Sequence, residues 1–470
     1  MSEKEFPYID TIYNQQVENK YKVEQLSVSD RISLLKKLET EILTYREEIA
    51  EALYKDFRKS KIEAESTEIF PVVSEIRHFC KNLKKWAKVK SVSNNIVFFG
   101  SKAKMVYEAK GNCLIISPWN YPFQLAMVHL VAAVAAGNTV MLKPSEFSPN
   151  TNSVVNKILD NVFEQNHVKL IYGEIDETTH ILKKKFDHIH FTGSPKVGKI
   201  IMEAGAKNLS SVTLELGGKS PLIIDDVIDI KTAVSKAIWG KLVNYGQTCI
   251  APDYILIHHS RVEEFVQEFI NHMNSTFGED PKQSKDLARI INGKNFDRVK
   301  DLIQDAIEKG ANCPYGNEYD GYENYIKPTI LTNLAPNCKI LCEEIFGPVF
   351  PIIPYHTIEE AIQYINKGEK PLALYIFSKN DELIDKVTKH TSSGVVMTNE
   401  SLIHIMHPNL PFGGVNNSGI GSSTGYFGFL DFSHAKPVLK VNQLLSPTKF
   451  INYPYNGFTQ KVVDLMMKYL

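Results

Sequence analysis

Three residues of this sequence have side chains suited to covalent carbonyl chemistry: Cys249, Glu215 and Asn120. Cys249 stands in Asn244-Tyr-Gly-Gln-Thr-Cys-Ile-Ala-Pro252, where a Gly-Gln-Thr turn after a helix lifts the thiol out of regular structure. A nucleophilic thiol needs that exposure and a raised thiolate fraction. The plain alternative is a buried structural cysteine, but these neighbours are polar and turn-forming. Glu215, in Leu214-Glu-Leu-Gly-Gly-Lys-Ser220, ends an otherwise apolar strand. A carboxylate there is costly unless it opens into a cleft or is paired, so Glu215 reads as a general base for water or as a strand-edge ion pair. Asn120, in Pro118-Trp-Asn-Tyr-Pro122, lies between a strand and a helix. Its amide can donate to a developing oxyanion or cap the helix.

A second group of residues suits a dinucleotide. Phe191-Thr-Gly-Ser-Pro-Lys-Val-Gly198 reads as strand, turn and helix start. There the backbone of Gly193, Ser194 and Gly198 would face a pyrophosphate, or form an ordinary turn. Gly217 lets a ligand approach the backbone closely. Lys143 and Glu146, in Lys-Pro-Ser-Glu, could bond ribose hydroxyls, and the carboxylate would disfavour a 2′-phosphate. In Glu343-Glu-Ile-Phe-Gly-Pro348, Glu344 could hold a ribose and Phe346 could pack on a flat ring. Trp239, Tyr245, Ile403 and Met406 are candidates to line an apolar tunnel, or to pack in the core.

The elements that would position these residues alternate. Apolar strands are expected at 113–116, 139–142, 168–171 and 188–191. Helices are expected at 122–136, 150–163, 177–185 and 197–206. Short continuous apolar strands separated by helices imply a parallel sheet covered on both faces. A second block follows, with strands at 212–216, 222–224 and 254–258 and helices at 230–242 and 261–274. Residues 29–55 read as one amphipathic helix and 62–86 as another. Residues 104–109 read as an exposed strand or arm. Residues 408–428, rich in Gly, Asn and Ser, read as a loop that closes over something. A terminal helix carries Val462, Val463, Met466 and Leu470 on one side, a pattern suited to a docked surface helix or to resting on a membrane.

At 470 residues, and about 150 residues per domain, two or three domains are expected. Lys+Arg is 53 and Asp+Glu is 54, for a net charge of −1, so no basic excess supports nucleic-acid binding. A mean hydropathy of −0.19 argues against a multi-span membrane protein. The first residues, Met-Ser-Glu-Lys-Glu-Phe-Pro, have no apolar core and no cleavage site, so a secretory signal is not expected. The six cysteines have irregular spacing and no C-x-x-C. That argues against a zinc or dithiol site and for reduced thiols in a cytoplasmic protein, with no metal expected.

Each motif alone is weak, but their order is not. Pro-Trp-Asn, Lys-Pro-Ser-Glu, Phe-Thr-Gly-Ser, Leu-Glu-Leu-Gly-Gly-Lys, Gly-Gln-Thr-Cys and Glu-Glu-Ile-Phe-Gly-Pro together resemble the NAD(P)-dependent aldehyde dehydrogenase superfamily, over about residues 30–440. Cys249 follows Glu215 by 34 positions, as in that family. Val106-Tyr-Glu, Ala237-Ile-Trp-Gly-Lys, Lys370-Pro-Leu-Ala-Leu-Tyr and Leu410-Pro-Phe-Gly-Gly resemble its class 3, or fatty-aldehyde, branch.

The resemblance implies an α/β aldehyde dehydrogenase-like fold. It implies an NAD(P)-binding domain (1–96 and 112–207), a catalytic domain (208–429), an oligomerisation arm (97–111 and 430–442) and a C-terminal tail (443–470). It also implies oxidation of medium- or long-chain aliphatic, or aromatic, aldehydes to acids by a homodimer. Cys249 would be the nucleophile and Glu215 the base, with Asn120 and the Cys249 N–H at the oxyanion. Lys143, Glu146, Ser194 and Glu344 would contact NAD, with NADP as the other cofactor. A CoA-dependent acylating enzyme using the same cysteine is the rival, and Glu215 argues for water instead. The branch often carries Tyr-His-Gly-Lys after its Pro-Phe-Gly-Gly loop. Here Ser423-Thr-Gly-Tyr426 stands there, and Asn416-Asn417 replaces a usual Gly nearby.

Overall fold

The computed structural model describes residues 5–469. Two sheets and an arm carry the chain. The first sheet has six strands in the order Gly419–Ile420, Ser211–Leu216, His188–Gly193, Asn112–Ser117, Thr139–Pro144, Val168–Leu170. All pair in parallel except Gly419–Ile420, which pairs antiparallel with Ser211–Leu216. Asn112–Ser117 and Thr139–Pro144 are buried at every residue, as short apolar strands must be when helices cover both faces. The helix Gln124–Ala136 is buried nearly all round, and Gly137, at φ 95°, ends it in the left-handed conformation.

The second sheet has seven strands: Asn312–Tyr315, Thr329–Thr332, Val349–Tyr355, Tyr254–His258, Pro221–Ile224, Ala373–Phe377, Val395–Thr398. Its neighbours are parallel apart from the Asn312–Tyr315 edge. The arm is an antiparallel sheet of Lys90–Val92, Lys102–Ala109 and Ser433–Lys440.

Several sequence expectations need correcting. The strand read at 212–216 as part of the second block belongs to the first sheet, with Leu214 beside Phe191 and Glu215 beside Thr192. An apolar strand pattern specifies burial on both faces but not the partner. Glu215 therefore stands next to the Gly193-Ser194 turn. Lys90–Val92, assigned with 1–96, lies in the arm.

The helix read over 29–55 is two, Val28–Thr44 and Arg46–Phe57, broken at Tyr45 while the apolar stripe continues across the break. The helix over 62–86 contains a π turn, Glu65–Ile69, just before Pro71; a proline, which lacks an N–H, favours such a bulge. The helix expected from Pro122 begins at Gln124. The helix Pro7–Glu24, which the sequence reading missed, docks Ile9 and Ile12 against the first sheet. Within the expected loop 408–428, Gly425–Asp431 is helical. The C-terminal helix is Gly457–Tyr469, with Val462, Val463 and Met466 half-buried and Leu470 outside the described residues. Among the described residues no helix is long and apolar enough to cross a membrane.

Candidate active site

Two loops bring Asn120 and Cys249 to one place. After the helix Ile230–Leu242 the chain makes three consecutive left-handed residues: Asn244 (φ 51°), Tyr245 (φ 58°) and Gly246 (φ 78°). For the first two this is a strained conformation that surrounding contacts must impose. At Gly246 a Cβ would lie 2.3 Å from the Gly347 carbonyl oxygen, so no side chain fits.

The contacts that hold the turn are specific. The Asn244 N–H donates to Glu63 at 2.7 Å, and the Asn244 amide donates to the carbonyls of Asn120 (2.7 Å) and Gln247 (2.9 Å). The Asn120 amide donates to the Gln247 carbonyl at 3.0 Å, and the Tyr121 hydroxyl lies 2.9 Å from Thr248 Oγ1. Behind them lies a wholly buried ion pair, Lys59–Glu68, at 2.6 Å. The other Glu68 oxygen accepts the N–H groups of Phe123 (3.1 Å) and Gln124 (2.9 Å), satisfying donors at a helix start. Lys59 Nζ sits 4.1 Å from the centre of the Tyr121 ring. The sequence on either side of Asn120 and Cys249 therefore locks the two loops together.

Cys249 is half-buried and lies at the seam of two cavities. One is a cleft of about 250 Å³ lined by Trp119, Asn120, Gly193, Ser194, Gly217, Glu344 and Phe346. The other is a pocket of about 240 Å³ whose walls include Leu125, Val128, Trp239, Ile403, Met406 and Phe412. Glu215 and Cys249 line both.

Burial dominates the electrostatics. It pushes the Cys249 thiol up to about 12, with the Glu344 and Glu215 carboxylates adding to the effect, so this form holds the thiol protonated. Burial also raises Glu215 well above the usual carboxylate range and Asp431 adds to this, while the Ser423 hydroxyl, 2.9 Å from Oε1, works against it. Among the described residues, Glu215 Oε2 is buried and has no hydrogen-bond partner. Glu344 is raised to about 8 by burial, then by Asp253, against the Gly218 N–H. For Asp431 burial opposes the charge, but bonds from His188 and His190 overcome it and hold the carboxyl well below its usual range.

Most of the sequence candidates meet here. Ser194 caps the helix Pro195–Asn208, its Oγ accepting from the Val197 N–H at 3.4 Å. A Cβ at Gly217 would lie 2.3 Å from Glu344 Oε2, so glycine there makes room for that carboxylate. Phe346 meets Trp119 edge-on at 5.5 Å. Trp239, Ile403 and Met406 line the pocket.

Four candidates stand outside the walls of the two cavities. A Cβ at Gly198 would lie 2.8 Å from Leu216 Cδ2, so this glycine lets the helix pack closely on the strand. Tyr245 is wholly buried, and its hydroxyl bonds the Ile326 carbonyl. It is a core residue and not part of the pocket wall, because the left-handed turn points it inward. Lys143 and Glu146 stand at the carboxyl end of Thr139–Pro144, outside both cavities; Lys143 Nζ bonds the Pro144 carbonyl at 2.7 Å and Glu146 is exposed.

The sequence reading did not pick out Arg298, which donates to the carbonyls of Glu344 (3.1 Å) and Ile345 (2.7 Å), nor Glu75 and His129 in the pocket wall. It also missed the buried cluster His188, His190 and Asp431, which only the sheet and the helix Gly425–Asp431 bring together.

The cleft has the chemistry of a dinucleotide site. It opens at the carboxyl ends of Asn112–Ser117, His188–Gly193 and Ser211–Leu216, where parallel sheets bind ligands. It offers a helix start for phosphates, the half-buried acid of Glu344 for hydroxyl donors, and aromatic faces for a flat ring.

Comparison with known proteins agrees with this geometry. The pattern described as "Aldehyde dehydrogenase family" matches residues 8–438. The chain is 42% identical over 427 residues to aldehyde dehydrogenase family 3 member A2 of Rattus norvegicus, covering 91% of this chain and 87% of that one. It is 42% identical over 428 residues to an "Aldehyde dehydrogenase, dimeric NADP-preferring" of the same organism, covering 91% and 93%. A Staphylococcus aureus AldH, solved in a substrate-bound state, superposes with a TM-score of 0.93 at 38% identity, covering 98% of this chain and 99% of that one.

Proposed function

We propose that this chain, which belongs to the aldehyde dehydrogenase family and oxidises aldehydes to carboxylic acids with NAD or NADP, does so through Cys249, Asn120 and Glu215. The observation that carries the assignment is the position of Cys249 and Glu215 at the seam between an apolar pocket and a dinucleotide cleft. The Cys249 thiol gives up its proton to solvent, and the thiolate sulfur adds to the aldehyde carbon. The oxyanion formed takes the Asn120 amide and the Cys249 backbone N–H. NAD or NADP, held in the cleft, would supply the hydride acceptor for that carbon. The carbon is left as a thioester on Cys249. Glu215 then removes a proton from water, the water oxygen displaces the sulfur, and the acid departs.

Gly193, Ser194, Gly217, Glu344 and Phe346 would hold the cofactor beside Cys249, and Lys143 and Glu146 its ribose end. The carboxylate of Glu146 supports NAD over NADP. The aliphatic and aromatic walls of the pocket support medium- or long-chain aliphatic, or aromatic, aldehydes. Glu215 in the pocket supports water, rather than a CoA thiol, as acyl acceptor. The chain is read as a cytoplasmic homodimer joined through the arm. A relative's name describes it as dimeric. The remaining divisions are read as the cofactor domain (1–96 and 112–207), the catalytic domain (208–429) and the tail (443–470).

The test is Cys249→Ser across an aldehyde series with each cofactor, with and without CoA. The reading expects wild-type oxidation to be independent of CoA and Cys249→Ser to yield no reduced cofactor. Turnover by that variant would refute it.

A further inference from the structure

We propose that Ser423 is a positioning residue for the hydrolytic base: its hydroxyl fixes one oxygen of Glu215 and leaves the other to take the proton of water. The proposal rests on the reading of Glu215 as that base. Ser423 begins the stretch Ser423-Thr-Gly-Tyr426.

The geometry is asymmetric. Ser423 Oγ donates to Glu215 Oε1 at 2.9 Å, while Glu215 Oε2 is buried and has no hydrogen-bond partner among the described residues. A second acceptor, the Phe412 carbonyl, is farther from the hydroxyl at 3.4 Å. A carboxylate held by one oxygen presents the other in a fixed direction, as a base that works on a single bound water requires.

The loop is built to place that hydroxyl. The Ser423 N–H donates to the Phe412 carbonyl at 2.6 Å, and the Ser423 carbonyl accepts the Phe412 N–H at 3.1 Å. Thr424 follows at φ 77°, a conformation that β-branched residues rarely adopt. Gly425 follows at φ 52°; a Cβ there would lie 2.3 Å from the Pro408 carbonyl oxygen. The Gly425 N–H donates to Glu75 Oε1 at 2.7 Å. A strained segment is thus clamped between two buried carboxylates, Glu215 and Glu75, and both of them line the pocket. Such strain persists only where the surroundings over-determine it.

The charged and titratable groups around Glu215 are Asp431, the Cys249 thiol, and His129, Glu75, Tyr121, Glu344 and Arg298 on the cavity walls. Asp431 disfavours the Glu215 charge and the Ser423 hydroxyl favours it. Loss of the hydroxyl therefore makes Glu215 harder to ionise.

The experiment compares wild type, Ser423→Ala and Ser423→Thr in single-turnover and steady-state runs over pH. The burst of reduced cofactor reports hydride transfer, and the steady state reports thioester hydrolysis. Ser423→Ala is expected to keep a full burst, to hydrolyse about tenfold more slowly near neutral pH, and to move the rising limb of hydrolysis up by about one pH unit. Ser423→Thr, which keeps a hydroxyl, is expected to restore the limb. Hydrolysis by Ser423→Ala along the wild-type limb would overturn the proposal, as would equal loss of burst and hydrolysis. Wild-type turnover in Glu215→Gln would instead overturn the assignment of the base, and the positioning role with it.

Discussion

Replacing Asn120 by alanine separates rate from stability. The Asn120 amide carries two hydrogens. One serves the Gln247 carbonyl at 3.0 Å, which leaves the second for an oxyanion in the cleft that Asn120 lines. The Gln247 carbonyl also accepts from the Asn244 amide at 2.9 Å, so truncation leaves no orphaned acceptor. The cost to the fold is that of one ordinary hydrogen bond, about 1 kcal/mol, and a Tm shift of no more than about 4 °C. The rate cost is that of an oxyanion donor, about 100- to 1000-fold in kcat/KM. The oxyanion forms when the thiol adds and again when water attacks the thioester, so burst and steady state both slow. Stopped-flow absorbance of reduced cofactor, with calorimetric Tm on the same sample, measures both quantities. A burst slowed by less than about tenfold would refute the donor role. So would a fall in Tm of more than about 10 °C, since misfolding would then account for the loss.

Other perturbations follow from the same geometry. Because burial holds the Cys249 thiol up to about 12, alkylation of the cofactor-free protein should quicken about tenfold per pH unit from about pH 7 to about pH 10, as the thiolate fraction does; mass mapping of Cys249 would show any plateau near neutral pH, which would contradict this. Trp239 is 47% exposed in the pocket wall, so Trp239→Ala should raise KM for long aldehydes about tenfold while sparing short ones, and an equal rise for both would count against the tunnel. Tyr245→Phe removes the bond to the Ile326 carbonyl and should destabilise the fold by about 1–3 kcal/mol with KM unchanged; a raised KM would return Tyr245 to the pocket.

The α/β fold class is legible in the sequence, while the pairing of its strands is not. Cys249, Asn120 and Glu215 announce themselves because polar or turn-forming residues interrupt apolar runs at those points. The tunnel residues are less legible: Trp239 and Tyr245 are both aromatic and close in sequence. The left-handed turn at Asn244 and Tyr245 sends the second into the core, and residue type does not encode that direction. Gly198 illustrates the same limit, since a glycine after a strand serves a phosphate or a packed helix equally well, and residue type does not show that Leu216 packs against it. The strand Ser211–Leu216 was legible as a strand but not as a neighbour of His188–Gly193, because pairing depends on distant residues. The Lys59–Glu68 pair and the Ser423–Glu215 bond lie beyond any local pattern; the latter joins residues 208 positions apart.

The most direct test of the covalent account is a single turnover by Glu215→Gln with saturating aldehyde and NAD, followed by mass spectrometry of the Cys249 peptide. The account predicts about one equivalent of reduced cofactor per site and an acyl mass retained on Cys249, because the thioester forms and then waits for a base. Reduced cofactor without any adduct on Cys249, or no burst at all, would contradict it.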